Sequence, residues 1–332
     1  PPLGANPLYP HRCWTSAARG IPAHHLCGVG WTERTGTKSP GTRCLNFPWS
    51  TDCSRALQPG LDSLRVTNSL VSMLTPSMTI TFLGTGTSHG VPRIGCDCDV
   101  CVSTDPRNKR FRSSILVNAE NSHLVVDTTP DFRTQALRHK LRSLDAILFT
   151  HAHADHLNGM DDIRCLCPRG GLPCYASPDT LQQVCAHFDY AVREDLNLPG
   201  MPRITPVPVD NLFNVGSLRI TPFDIRHGRI TITAFRFEDA QGRAFVYATD
   251  CSEIPARSER HFHELDLLIL GALRHRPHPC HFNVEQAVEI TSRFQPAKTL
   301  LVHIDHDLDH ALTNSQLPSG VELSYDGLIV EV

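Results

Sequence analysis

From Met78 onward, short apolar runs alternate with polar segments of helical pattern. The runs 78-MTITFL-83, 114-SILV-117, 123-HLVVD-127, 145-DAILFT-150, 218-LRITPF-223, 244-AFVYATD-250, 266-DLLILG-271 and 299-TLLVH-303 predict strands. Between them, Pro130 and Asp131 open 130-PDFRTQALRHK-140, Ser177 and Pro178 open 178-PDTLQQVCAHF-188, and Asn283 caps 283-NVEQAVEITSRF-294. Strands alternating with helices predict an α/β domain over residues 78–332. Several of these strands end in His or Asp, at the loops where such folds place their chemistry. Residues 1–77 have another texture. No period of 2 or 3.6 is sustained before Leu61, and Trp14, Trp31, Trp49 and four cysteines are scattered among Pro and Gly. They are expected to form an irregular N-terminal extension, disordered or a gene-model or fusion remnant, with Met78 the natural start of the folded unit. The chain starts at Pro1, as a fragment, a processed form or an unusual gene model would.

Composition narrows the setting. Over 332 residues, 40% hydrophobic and 20% charged content describe a soluble globular protein able to bury a core. A net charge of −3 gives no indication of a polyanion-binding surface, which disfavours nucleic acid as a partner. No apolar run approaches the length of a membrane span, and no signal-peptide pattern is present. The 13 cysteines, an odd number, argue against a secreted disulfide scaffold and for a reducing cytoplasm. There, clustered Cys and His more often mean metal.

Two clusters carry that chemistry. Behind the strand 145-DAILFT-150 comes 151-HAHADHLNG-159. His151 and His153, two apart in a loop, can converge on one cation, while Asp155 and His156 at the turn into a helix aim at a second. Imidazole with carboxylate suits zinc, manganese or iron rather than calcium. The second cluster is 95-GCDCDVC-101, with Cys96, Cys98 and Cys101. By itself it admits a disulfide knot, a redox centre or one corner of a metal site.

The HxHxDH pattern after an apolar strand resembles the signature of the metallo-β-lactamase superfamily, from about Met78 to Val332. That resemblance implies a four-layer αββα sandwich with one or two metals. Three later positions complete the implied set: His227 in 224-DIRHG-228, Asp250 ending 245-FVYATD-250, and His303 in 299-TLLVHIDH-306. It places His151, His153 and His227 on one metal and Asp155, His156 and His303 on the other, with Asp250 bridging. Two divalent ions (Zn or Mn) about 3.5–4 Å apart can hold a hydroxide and clamp an anionic transition state.

Three further stretches, 82-FLGTGTSHGVPRIGCDCDVC-101, 303-HIDHDLDHAL-312 and 317-LPSGVELSYDGLIVEV-332, resemble one subgroup. It contains the phosphoribosyl 1,2-cyclic phosphate phosphodiesterase of the carbon–phosphorus lyase pathway. The resemblance implies a small or cyclic phosphodiester as substrate. It also implies a structural zinc on Cys96, Cys98, Cys101 and His306, a closed Cys₃His set, and a homodimer. Asp155 and His281 are the candidate catalytic residues, His281 as proton donor to the leaving oxygen with His278 and His275 as rivals. Arg107, Lys109, Arg110 and Arg112 in 105-DPRNKRFRSS-114 form either a phosphate-binding loop or a solvated face. Gly271 stands where the subgroup commonly has an acidic residue, so altered support for the 272–281 loop is expected. Transfer-RNA 3′-end endoribonuclease, thioesterase and lactamase activities are the superfamily alternatives. Finally, 45-LNFPWSTDCSRALQPGLDSLRVTNSL-70 resembles the C-terminal part of lipoate–protein octanoyltransferases but lacks their catalytic region, so it implies no activity.

Overall fold

The computed structural model describes residues 78–332, apart from 121, 169, 194 and 196–198. The expectations for residues 1–77 lie outside the described residues. Fourteen strands are described: β1 (Met78–Gly84), β2 (Ser114–Ala119), β3 (Ser122–Val126), β4 (Ala146–Leu148), β5 (Leu172–Ala176), β6 (Ile204–Pro208), β7 (Phe213–Val215), β8 (Leu218–His227), β9 (Ile230–Glu238), β10 (Ala244–Ala248), β11 (Leu267–Gly271), β12 (Thr299–Val302), β13 (Val321–Leu323) and β14 (Ile329–Glu331). The α-helices are α1 (Asp99–Val102), α2 (Phe132–Arg138), α3 (Ala154–Leu157), α4 (Pro178–His187), α5 (Val284–Phe294) and α6 (His310–Gln316).

The strands form two seven-stranded sheets, in the orders β14-β1-β2-β3-β4-β5-β6 and β13-β12-β11-β10-β9-β8-β7. Period-two patterning explains why they stack. Met78, Ile80 and Phe82 of β1 project into one buried layer with Ile115, Val117, Phe235, Phe237, Phe245 and Tyr247. Phe237 and Phe245 stack across adjacent strands, with ring centroids 4.5 Å apart. Each such fully buried side chain contributes about 1.5–3 kcal/mol of transfer free energy. The opposite faces are covered by helices. α4 packs Leu181 and Val184 under the first sheet, and α5 packs Val284, Ala287 and Phe294 under the second. The result is the αββα sandwich.

The helix starts obey local rules. Ser177 accepts the Thr180 amide at the head of α4, and Asn283 and Gln286 form a reciprocal capping box on α5. Asp131 departs from this pattern: its carboxylate is taken by Arg112, so it caps α2 without a side-chain hydrogen bond. The apolar runs account for eight strands; β5, β6, β7, β9, β13 and β14 are additional. Prolines mask two of them: Pro206 and Pro208 lie in the edge strand β6, and Pro173 at the start of β5 pairs only with that edge. β9, 230-ITITAFRFE-238, carries a visible alternation. β13 and β14 are three residues each and take their register from longer neighbours.

β3–β6 run parallel, as do β10–β12, so several strands of both sheets end at one rim. The histidines and aspartates lie at that rim.

Candidate metal centre

His151 follows β4, His227 is the last residue of β8, Asp250 lies two residues past β10 and His303 one past β12. Asp155 and His156 are in the single turn of α3. Gly159 closes that turn against β3's exit loop; a Cβ there would lie 1.9 Å from the Thr129 carbonyl oxygen, so only glycine fits. The structure brings all seven side chains together as two adjoining donor sets. His151, His153 and His227 form one, and Asp155, His156, Asp250 and His303 form the other. Asp250 faces both. Its Oδ1 is 3.3 Å from His156 Nε2 and 3.1 Å from His303 Nδ1, and its Oδ2 is 3.9 Å from His227 Nε2.

The backs of these rings are pinned. Asp127, fully buried just past β3, accepts from the Thr150 hydroxyl at 2.9 Å and from His156 Nδ1 at 2.7 Å. The Thr150 hydroxyl in turn receives His151 Nδ1 at 2.9 Å. One carboxylate therefore orients a ring in each donor set, leaving both Nε2 atoms facing inward. His227 Nδ1 donates to the Cys280 carbonyl at 2.8 Å, and His303 Nε2 pairs with the Thr87 hydroxyl at 3.2 Å. Asp127, Asp250 and His303 all have left-handed backbone, with φ of 64°, 54° and 59°. Non-glycine residues pay strain there, which the surrounding sheets enforce.

The electrostatics ask for a cation. Burial, with repulsion from His156, holds His151 well below its ordinary value, and burial lowers His303. Burial opposes ionisation of Asp250, but His303, His156 and His151 outweigh it and keep the carboxyl well below its usual range. For His156, burial pushes down, yet Asp250, Asp155 and Asp127 together hold it well above. Imidazoles held low at His151 and His303 beside the low-held Asp250 form a cation site, which a metal would enter by displacing the proton that the carboxylates hold on His156. Three buried ring nitrogens, His151 Nε2, His156 Nε2 and His303 Nδ1, make no hydrogen bond at all. Buried polar atoms without partners are rare, and here all three face the cluster, so the residues fit divalent metal. The same test suits the second cluster. Cys96, Cys98, Cys101 and His306 present four ligand atoms within 4.8 Å of one another. His306 Nδ1 lies 3.2 Å from Cys98 Sγ and 3.4 Å from Cys96 Sγ.

Residues 122–304 match the beta-lactamase superfamily domain. The chain also resembles the crystal structure of a new diphosphatase from the PhnP family, at 39% identity and TM-score 0.70, over 77% of this chain and 98% of that one. The chain belongs to the metallo-β-lactamase superfamily, in its PhnP family. Zn²⁺-bound PqqB from Methylobacterium extorquens shares the fold at 18% identity and TM-score 0.63, over 76% of this chain and 100% of that one. A curated octanoyltransferase of Porphyromonas gingivalis is 35% identical over 254 residues, 74% of this chain and 50% of its own length. An alignment of that length cannot be housed in residues 1–77, so most of it falls on the metallo-β-lactamase region. The coenzyme PQQ synthesis protein B of Rhodopseudomonas palustris is 29% identical over 43% of this chain and 51% of its own length. The chain thus spans about half the length of these curated relatives.

In this PhnP-family chain, the other sequence candidates separate cleanly. His281 enters the cluster, its Nδ1 4.0 Å from Asp250 Oδ2 and its ring stacked 4.8 Å from that of His303. His278 lies behind it at 5.0 Å, and His275 is exposed. Burial and His303 push His281 down to about 3, so the imidazole is neutral at pH 7. The four cations of 105–114 are all engaged elsewhere. Arg107 pairs with Asp105, Lys109 donates to the Cys101 carbonyl, and Arg112 holds Ser88 and Asp131. Arg110 is buried against Thr85 and Ser324. Gly271 abuts Asp250 rather than the 272–281 loop alone: a Cβ would stand 2.9 Å from the Asp250 amide nitrogen. Beside His151 and His153 opens a cleft of about 600 Å³ between α4 and the β8–β9 hairpin.

Sequence reasoning missed Asp127, Thr150 and Thr87 as functional residues. Asp127 had a signal, an acidic residue ending an apolar strand. The two threonines had none, because their role exists only relative to rings distant in the chain.

Proposed function

We propose that this superfamily hydrolase cleaves a phosphodiester, small or cyclic, in a cytoplasmic setting. The observation that carries the reading is Asp250 facing two complementary donor sets, one of three imidazoles and one of mixed carboxylate and imidazole. The 39% identity with a PhnP-family diphosphatase supports phosphate chemistry. Cys96, Cys98, Cys101, Cys165, Cys167, Cys174, Cys251 and Cys280 are free thiols, which supports a reducing compartment. Among the described residues, no helix is long and apolar enough to cross a membrane.

His151, His153 and His227 would hold one cation, and Asp155, His156 and His303 the other, with Asp250 between. Two such ions, zinc or manganese, would supply charge neutralisation at the phosphate oxygens and a water of lowered pKa. The chain's own part is positional. Asp127 orients His151 and His156, while the Cys280 carbonyl and Thr87 aim His227 and His303. His281 is neutral in the free protein, and an arriving phosphate raises its proton affinity, so it can protonate the leaving oxygen. Cys96, Cys98, Cys101 and His306 would hold a structural zinc, tying the loop after β1 to the segment carrying His303. Transfer-RNA processing gains no support here, since the net charge is −3 and the cations of 105–114 are engaged internally.

With metal-defined protein, bis-4-nitrophenyl phosphate should be hydrolysed while nitrocefin and S-lactoylglutathione are not; the reverse pattern would overturn the reading. His281→Ala should lower turnover by roughly 10²–10⁴-fold with metal content intact. A fully active variant would remove His281 from the mechanism.

A further inference from the structure

Two charged side chains stand outside both donor sets yet converge on the segment that holds His303. Arg110, just before β2, is 3% exposed, and Asp326 lies in the turn between β13 and β14. Burial draws Arg110 down to about 10 and pushes Asp326 up to about 6, so both are ionised at pH 7. They share one hydroxyl: Thr85 Oγ1 accepts from Arg110 Nη1 at 2.9 Å and donates to Asp326 Oδ1 at 2.8 Å. Asp326 Oδ2 also accepts the Phe111 amide at 2.6 Å, and Arg110 Nη1 reaches the Ser324 carbonyl at 2.6 Å. Arg110 Nη2 lies 3.2 Å from His310 Nδ1, while its buried Nε has no partner. A guanidinium buried with one donor unmet is a poor stabiliser of a core.

The backbone that these bonds fix lies on either side of His303. The Thr85 carbonyl accepts the Ile304 amide at 2.9 Å, and the Thr87 amide donates to the Ile304 carbonyl at 3.1 Å. The Thr87 hydroxyl then pairs with His303 Nε2. Before His303, the Ser324 amide and hydroxyl both donate to the Leu301 carbonyl, at 3.0 and 2.6 Å. His303 is thus gripped two residues before and one after, at a φ of 59° that a non-glycine residue keeps only under constraint.

We infer that Arg110 and Asp326 are positioning residues for His303: by clamping Thr85 and Ser324, they hold it in the strained backbone that turns its ring toward Asp155, His156 and Asp250. The inference rests on the reading of that donor set as a metal site and adds the residues that tune it. Two stretches without ligands, 105-DPRNKRFRSS-114 and 317-LPSGVELSYDGLIVEV-332, thereby acquire a part in the site. His151 and His227 are held instead by Thr150 and the Cys280 carbonyl, outside this network. Loss of the clamp therefore acts on one donor set and spares the other. A role in stability alone would weaken both sets together.

The test replaces Thr85 by valine, which keeps the shape without the hydroxyl, and by serine, which keeps the hydroxyl, beside Asp326→Asn. Val184→Ala, fully buried under the first sheet, controls for lost stability. The metal-free full chain is titrated with Co²⁺ well below every melting temperature; the cysteine-bound ion is told apart by its thiolate absorption. Thr85→Val and Asp326→Asn should weaken one of the two remaining cobalt ions by about tenfold and shift its absorption band. The other ion, and both ions in Thr85→Ser and Val184→Ala, should match wild type. Equal weakening of both ions, the same loss in Val184→Ala, or no change in Thr85→Val would overturn the inference and leave the metal reading standing. If wild type binds no cobalt beyond the cysteine cluster, the metal reading falls, and hydrogen exchange in the metal-free chain decides the clamp. Faster exchange of the Ile304 and Thr87 amides in Thr85→Val than in Thr85→Ser and Val184→Ala would uphold it; equal rates would overturn it. Should Asp326→Asn fail to fold, the two Thr85 variants decide by the same readings.

Discussion

The two donor clusters lie three residues apart in 303-HIDH-306, yet they are built on opposite plans. The histidine–aspartate cluster sits on strand ends of both sheets, and His151, His156, His227 and His303 are each held from behind by a hydrogen-bond partner. Its carboxylates Asp155 and Asp250 are held low, Asp155 by His156 against the opposing effect of burial, so donors are already ionised. The cysteine cluster rests on one short loop and His306, and its members chiefly contact each other. Two of its thiols are driven apart. Hydrogen bonding to His306 draws Cys98 down to about 6, whereas burial pushes Cys101 up to about 11. Both clusters present their donors already assembled, and a metal would displace protons in each, from His156 in the first and from the Cys101 thiol in the second. Four protein donors close a site, while a cradle bordered by a cleft leaves room for substrate. That difference separates a catalytic plan from a structural one.

Removing the carboxylate that faces both donor sets should have the largest effect. Asp250→Ala is expected to remove metal from both donor sets and lower kcat/KM by on the order of 10³-fold, read by elemental analysis beside kinetics. Retention of both metals would show that Asp250 does not join the two sets. Cys98→Ser should release one zinc, lower the melting temperature and reduce activity less than Asp250→Ala does. Equal losses in the two variants would erase the distinction between the clusters. Asp127→Asn sharpens the comparison from behind: metal affinity at the first cluster should fall by roughly 10–100-fold while the cysteine-bound zinc stays. The smallest effect concerns His310, at the start of α6. Burial and Arg110 lower it to about 4 in the folded chain, against about 6.5 unfolded. Between those values the unfolded state binds more protons, so stability is full above pH 6.5 and declines as pH falls toward 4. His310→Gln should flatten that part of a pH–denaturation profile. An unchanged slope would place the titration elsewhere.

Much of this was legible in one dimension. The HxHxDH loop, the strand-terminal His227, Asp250 and His303, and the CxCxxC run are local patterns, each beside an apolar stretch whose burial dictates its place. Most strands followed from period; prolines hid β5 and β6, β7, β13 and β14 are only three residues long, and β9 was missed although its alternation is visible.

Other properties came only from tertiary structure. Asp127 serving two imidazoles, the Cys280 carbonyl aiming His227, and Thr87 reaching His303 from 216 positions away depend on two sheets stacking at a common rim. Gly271 acquired its meaning only when β10 and β11 paired and set it against the Asp250 backbone. The arginine-rich loop shows the reverse: a charge run in sequence, it became a set of internal tethers once folded. Sequence determines which donors exist and which strands carry them, because hydrophobic period is local. Orientation, tautomer and which charges remain free are relations between distant segments, and folding alone brings those segments into contact.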